Sequence, residues 1–79
     1  MPENRFFPAE TAGKLHVVLS GRDRLLIERH RGIIGYTQER LSLRLEGGYM
    51  TVTGSGLEIS EYGSQEAVLS GRIDALEFV

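Results

Sequence analysis

The stretch Leu41-Ser42-Leu43-Arg44-Leu45-Glu46-Gly47-Gly48-Tyr49-Met50-Thr51-Val52 decides the fold class. Leu41, Leu43 and Leu45 alternate with Ser42, Arg44 and Glu46, the period-two pattern of a strand with one buried face and one wet face. Gly47-Gly48 follows at once, and two glycines admit positive φ at both central positions of a two-residue hairpin loop. Closing that loop predicts the pairs Glu46–Tyr49, Leu45–Met50, Arg44–Thr51 and Leu43–Val52. Apolar residues then face apolar ones and polar residues face polar or amphipathic ones, whereas a one-residue slip turns the partner's apolar set outward. The outer face carries Ser42, Arg44, Thr51 and Thr53, with Tyr49 at its end.

Working outward, Ser55-Gly56 predicts the next two-residue turn, pairing Gly54 with Leu57 and Val52 with Ile59. Tyr62-Gly63-Ser64-Gln65 predicts another, followed by closing strands at 67–70 and 73–78 with a bulge or bend at Gly71 between them. Upstream, 15–19 and 24–28 read as strands joined near Ser20-Gly21-Arg22, and 33–36 as one more short strand. Such closely spaced turns with no long helical segment predict an all-β fold. The expected form is an antiparallel meander of about seven to eight short strands, closed as a small barrel or a sandwich. Residues 1–14 hold both prolines and no alternation, and read as a flexible N-terminal arm ahead of a single domain at 15–79. The adjacent aromatics Phe6 and Phe7 suggest that this arm docks, either on the parent domain or on a partner. Val18-Leu19-Ser20-Gly21-Arg22 recurs letter for letter as Val68-Leu69-Ser70-Gly71-Arg72. Similarity stops directly afterwards, which favours two strands ending in the same glycine irregularity over a duplicated unit.

Composition bounds the rest. A chain of 79 residues forms one small domain with a limited core. The absence of cysteine excludes a disulfide scaffold, thiolate zinc sites and cysteine nucleophiles. A net charge of −2 argues against a strongly basic nucleic-acid binder. No apolar run reaches the length of a membrane span and no leader pattern opens the chain, so a cytoplasmic protein without a direct membrane span is expected.

No catalytic constellation emerges: the serines and the two histidines, His16 and His30, sit in no nucleophile-elbow, Walker or His-Glu-x-x-His context. No catalytic residue, cofactor or metal is therefore expected, and Gly54-Ser55-Gly56 reads as a turn rather than a phosphate loop. His16 is placed on the outer or half-buried face of the first strand. His30, in Glu28-Arg29-His30-Arg31-Gly32, reads first as a side chain bonding the turn between two strands and second as a ligand or pH-sensitive contact. Arg22, Arg24, Arg29 and Arg31 fall within ten residues and suggest either a solvated surface or a patch for an acidic partner or phosphates. Tyr36, Arg44 and Tyr49 join Arg29, His30 and Arg31 as candidate partner contacts, since Tyr and Arg are favoured interface anchors.

The segment Ile27-Glu28-Arg29-His30-Arg31-Gly32-Ile33-Ile34, with Tyr36-Thr37-Gln38-Glu39, resembles the "IENHRGI…YT.E" pattern of the YabP/YqfC sporulation proteins. Gly48, Met50, Val52, Gly54, Leu57 and Ile59 are similar to a following "G.L.I.G..L.I" pattern. Leu69, Gly71, Ile73, Leu76, Glu77 and Phe78 are similar to a closing "I.G.I..IEF". The likeness covers about residues 15–78 and is nearest the YqfC branch. Arg29 stands where Asn is usual, Gly35 where Glu is common, and Met50 in place of Leu or Val. The resemblance implies a small noncatalytic β protein made in the mother cell during endospore formation, under the early mother-cell sigma factor. The resemblance supplies no clear molecular activity; the best physical reading is a protein-interaction or scaffold module, with a membrane-bound sporulation protein or further copies of the chain as partner. Overall acidity without interleaved aromatics argues against nucleic acid. The alternative is a small β-barrel binding a ligand or nucleic acid in a groove lined by Tyr36, Arg44 and Tyr49.

Overall fold

A computed structural model describes residues 14–79; the arm expected at 1–14, with Phe6 and Phe7, lies almost wholly outside the described residues. Six strands follow in order: β1 (His16–Ser20), β2 (Arg24–Glu28), β3 (Ile33–Thr37), β4 (Arg40–Leu45), β5 (Gly48–Tyr62) and β6 (Glu66–Phe78). All pairings are antiparallel and join the strands into one sheet of order β1-β2-β6-β5-β4-β3. The all-β antiparallel expectation holds. The count of seven to eight strands and the barrel or sandwich do not, because the sheet is single and unclosed.

Both corrections have one cause. Ser55-Gly56 does not reverse the chain: β5 runs through it for 15 residues, and 67–70 and 73–78 are likewise halves of one 13-residue strand, β6. Gly56, at positive φ (60°), serves a bulge rather than the expected turn, while Gly71 (117°) lies at the irregularity expected of it, opposite that bulge. An inserted residue flips which parity points inward: in β5 this happens at Gly56-Leu57, and in β6 at Asp74, between the pairs Gly54–Ile73 and Thr53–Ala75. Buried positions in β5 pass from Met50 and Val52 to Leu57, and in β6 from Ala67, Leu69 and Ile73 to the half-buried Leu76. A strict alternation read along either strand therefore breaks at its middle, which from sequence looks like a strand end.

The central hairpin forms with its apolar face as expected and its register moved by two. Leu45 pairs with Gly48, Arg44 with Tyr49, Leu43 with Met50, Ser42 with Thr51 and Leu41 with Val52. The loop is Glu46-Gly47, with only Gly47 at positive φ (87°). Gly48 instead lies inside β5, where a Cβ would strike the carbonyl oxygen of Val79, and the neighbouring Tyr49 exchanges two backbone hydrogen bonds of 2.9 Å with Val79. A two-residue shift preserves side-chain parity, so the wet face survives: Ser42 Oγ and Thr51 Oγ1 lie 3.5 Å apart on it.

The sheet covers its own inner face. Leu25 and Ile27 of β2 share one buried cluster with Leu41 and Leu43 of β4, together with Met50, Val52, Leu57, Leu69 and Ile73. In a flat sheet β2 and β4 would lie three strand spacings, about 14 Å, apart. The sheet therefore bends at the bulges of β5 and β6, bringing a half built from β1, β2 and the adjoining parts of β6 and β5 against a half built from β3, β4 and the remainder. At the bend the ladder leaves backbone groups that need other partners. The turn between β3 and β4 supplies them to β5, with Glu39 and Gln38 carbonyls accepting from Gly54 N (3.0 Å) and Leu57 N (2.8 Å). The turn between β1 and β2 does the same for β6, with Arg22 and Asp23 carbonyls accepting from Ile73 N (2.8 Å) and Gly71 N (3.3 Å).

The repeated pentapeptide finds its place here. Val18, Leu19 and Ser20 flank β2 on one side and Val68, Leu69 and Ser70 on the other, both sets opposite Leu26, Leu25 and Arg24. One copy ends in a turn and the other in a bulge, each at a glycine of positive φ.

Gly71 is the test of the bend. Its φ disfavours any L side chain, and an added Cβ would run into the backbone of Gly56 and Leu57 on β5. Gly71→Ala is expected to cost more than about 1 kcal/mol, read as a lowered urea midpoint. Gly35→Ala, where φ is not positive and nothing lies within 4 Å of the added Cβ, is expected to leave stability within about 1 kcal/mol of the parent.

Candidate functional site

Residues 29–32 connect β2 to β3 across the end of the core, tied to both halves of the bent sheet. Arg29 N (2.6 Å) and His30 N (3.2 Å) both donate to the carbonyl of Gln65, in the turn between β5 and β6. Arg31 N donates to Arg44 O (2.7 Å), and Arg44 N donates to Gly32 O (2.8 Å) on β4. The connection is thus a strap whose hydrogen bonds hold the two halves together at one end.

The strap's conformation explains its residues. Arg29 has φ 73°, the one non-glycine at positive φ among the described residues, and Gly32 has φ 125°. His30 is 1% exposed, the one buried polar side chain among the described residues. Its Nδ1 accepts from Gly32 N at 2.9 Å, and its ring stacks on Tyr62 with centroids 5.3 Å apart. Nδ1 is therefore the unprotonated nitrogen, and in the neutral ring Nε2 carries the hydrogen. Nε2 is buried without a hydrogen-bond partner. The turn-bonding reading of His30 agrees with this geometry; its stack on Tyr62, more than thirty positions along the chain, had no local signal.

A cleft of about 710 Å³ opens beside the strap, lined by Arg29, His30 and Arg31 together with Lys14, Glu46 and Gln65 and short apolar or hydroxyl side chains. Its three cations face one carboxylate, and Arg31 Nη2 lies 3.6 Å from Glu46 Oε1 with both groups well exposed. Lys14, Glu46 and Gln65 were not singled out from sequence, because each reaches the cleft from a different connection.

The other candidates disperse. Arg44 meets the strap through its backbone, while its side chain stands on the outer face opposite Tyr49. Tyr36 shares the inner parity with Leu41, and its hydroxyl donates to Leu57 O at 2.6 Å, tying edge strand β3 to the bulge of β5. Tyr36 and Tyr49 are both exposed, at 42% and 46%, but they stand on opposite faces of the sheet, so Tyr36, Arg44 and Tyr49 line no common groove. The four clustered arginines also separate. Arg22 Nη2 lies 3.6 Å from Asp74 Oδ1, which Arg72 Nε also approaches at 3.2 Å. Arg29 and Arg31 lie beyond the far end of β2, about 17 Å of strand away. His16 faces Glu28 across β1 and β2, with Nδ1 3.3 Å from Oε1. Among the described residues no three His, Asp or Glu side chains come together as a metal site, and no helix is long and apolar enough to cross a membrane.

Comparison with known proteins gives a family. The model of the YabP family matches residues 11–79. The uncharacterized protein YqfC of Bacillus subtilis (strain 168) is 29% identical over 63 residues, covering 80% of this chain and 68% of that protein. No solved structure matches.

Arg29 offers a direct test of the strap. A left-handed conformation costs a non-glycine residue about 1–2 kcal/mol, and Asn tolerates it better than Arg. Arg29→Asn gives up an exposed 3.3 Å bond from Nη1 to Gln65 Oε1, which contributes little in water. Arg29→Asn is therefore expected to raise stability by about 0.5–1 kcal/mol, seen as a Tm increase of about 2–8 °C.

Proposed function

Since the chain belongs to the YabP family, we propose that it is a noncatalytic interaction module serving endospore formation, acting in the mother-cell cytoplasm through its sheet edges. One observation carries this reading: among the described residues the bent sheet is unclosed and ends in strands, β1 and β3, with a neighbour on one side only. An edge strand presents a row of main-chain donors and acceptors that another strand can extend, and this is a recurring mode of protein recognition. The exposed side chains of Arg31, Arg44 and Tyr49 add the residue types favoured at interfaces. The partner on this reading is a protein, either a membrane-bound sporulation protein or a further copy of the chain.

The cleft favours a second reading. Three cations around a buried histidine with an unpartnered Nε2 suit a small anion, and inorganic phosphate at millimolar concentration would then raise the Tm by ligand linkage. An unchanged Tm removes it.

The main reading is tested in the spore-forming bacterium that encodes the chain. Deleting the gene is expected to lower the yield of heat-resistant spores, and restoring it to recover them. Normal sporulation in the deletion strain sinks the proposal. Arg31→Glu, which alters an exposed side chain and leaves the strap's backbone bonds in place, is expected to keep stability within about 0.5 kcal/mol of the parent, a Tm shift of no more than about 4 °C. A lower spore yield from that variant assigns Arg31 to recognition; a collapsed Tm assigns it to structure.

A further inference from the structure

Among the described residues, the bend leaves four stretches of strand with an open side: β1, β3, the second half of β5 and the second half of β6. Proteins guard open edges with bulges and charges. β3 has a register shift between Ile33 and Gly35. The second half of β5 carries Glu58 and Glu61 and a shift between Ile59 and Glu61. The second half of β6 carries Asp74 and Glu77, with its irregularity opposite Thr53 and Gly54. β1 has neither device. His16-Val17-Val18-Leu19-Ser20 pairs with β2 residue for residue without a shift, and it contains no Lys, Arg, Asp, Glu or Pro. Val18 and Leu19 are 39% and 45% exposed.

We propose that β1 pairs with β1 of a second copy, antiparallel about a two-fold axis at Val18, joining two bent sheets into one continuous sheet. This rests on the reading of the chain as an interaction module and names its first partner. The occupant follows from the strand's own pattern. Pairing about Val18 sets Val17 opposite Leu19, Val18 opposite Val18 and His16 opposite Ser20. Paired positions differ by an even number, so the Val17–Leu19 pairs meet on the face shared with Leu25 and Ile27, and Val18 meets its copy on the other. No like charges oppose each other within the strand, and a two-fold axis makes the contact self-limiting. An edge that is flat and uncharged, and whose apolar positions map onto one another by this rotation, is complementary to itself.

The chain lacks cysteine, so a single introduced thiol reports the register. In the full chain, Val18→Cys places two sulfurs on opposed residues within disulfide reach, while Ser20→Cys leaves them four residues out of register, about 13 Å apart. Mild oxidation is expected to convert Val18→Cys to a covalent dimer and to leave Ser20→Cys monomeric under denaturing electrophoresis. Light scattering of the unmodified chain is expected to show the mass doubling with concentration. Val18→Lys, which opposes two ammonium groups at the axis, is expected to hold the monomer mass with unchanged circular dichroism. A monomer at every concentration overturns the pairing, as does equal cross-linking of both cysteine variants. A dimer that survives Val18→Lys also overturns it, by moving self-association to another surface. None of these results touches the spore yield of the deletion strain, which tests the interaction-module reading by itself.

Discussion

A sheet with one apolar face and, among the described residues, no helix to lay over it has to be covered by something, and the folding of this domain turns on that need. Among the described residues, ten hydrophobic side chains are buried to within a few per cent, all of them on strands of a single sheet. Only bending brings β2 and β4 to the same cluster, and bending an antiparallel ladder means interrupting it. The bulges in β5 and β6 provide the interruption, and the hairpin turns on either side take up the amides it leaves behind. The hydrophobic demand and the hydrogen-bond demand are thus met at the same place, where Gly54 and Gly71 allow two backbones to approach closely and Gly56 supplies positive φ.

That arrangement explains why the strap is built as it is. Bending brings the ends of the two halves together but leaves them joined through β5 and β6 alone. Residues 29–32 add a second junction, with main-chain bonds to Gln65 on one side and Arg44 on the other. Holding that path requires positive φ at positions 29 and 32 and a buried side chain between them. His30 fills the role by bonding the amide of Gly32 and stacking on Tyr62. An aliphatic residue of similar volume could fill the space but would leave that amide without its acceptor.

Much of this was legible in the sequence, and what was not has a common origin. Period-two alternation marks β2 and β4 and the start of β5 because no bulge falls inside them. The glycine signals were read in the right places, yet positive φ alone does not distinguish a reversal from a bulge. Gly47 turns the chain, whereas Gly56 and Gly71 let it continue. The difference depends on which strand lies alongside, and that is a long-range fact. The hairpin register moved for the same reason, since Gly48 is occupied by the approach of Val79 from the far end of the chain. Of the candidate contacts, Arg29, His30 and Arg31 come together because they are adjacent. Tyr36, Arg44 and Tyr49 disperse because their parity within the strands, not their residue type, decides which way they face.

The segment that carries the family resemblance is the strap, and most of it is accounted for by architecture. Position 29 needs a residue tolerant of the left-handed region, position 30 an acceptor that can be buried, and position 32 glycine. The usual Asn at the first of these is then a conformational choice, and Arg29 departs from it at a cost in strain. The Arg31 side chain is different: its backbone serves the strap, while its guanidinium projects toward Glu46 in water, where an exposed ion pair contributes little to stability. A side chain with so small a structural return, at the mouth of the cleft, stands where recognition can act on it. The strap therefore divides its work by atom: main chain and His30 hold the fold, and on the proposed reading the exposed Arg31 guanidinium, beside Glu46, is the group left for a partner.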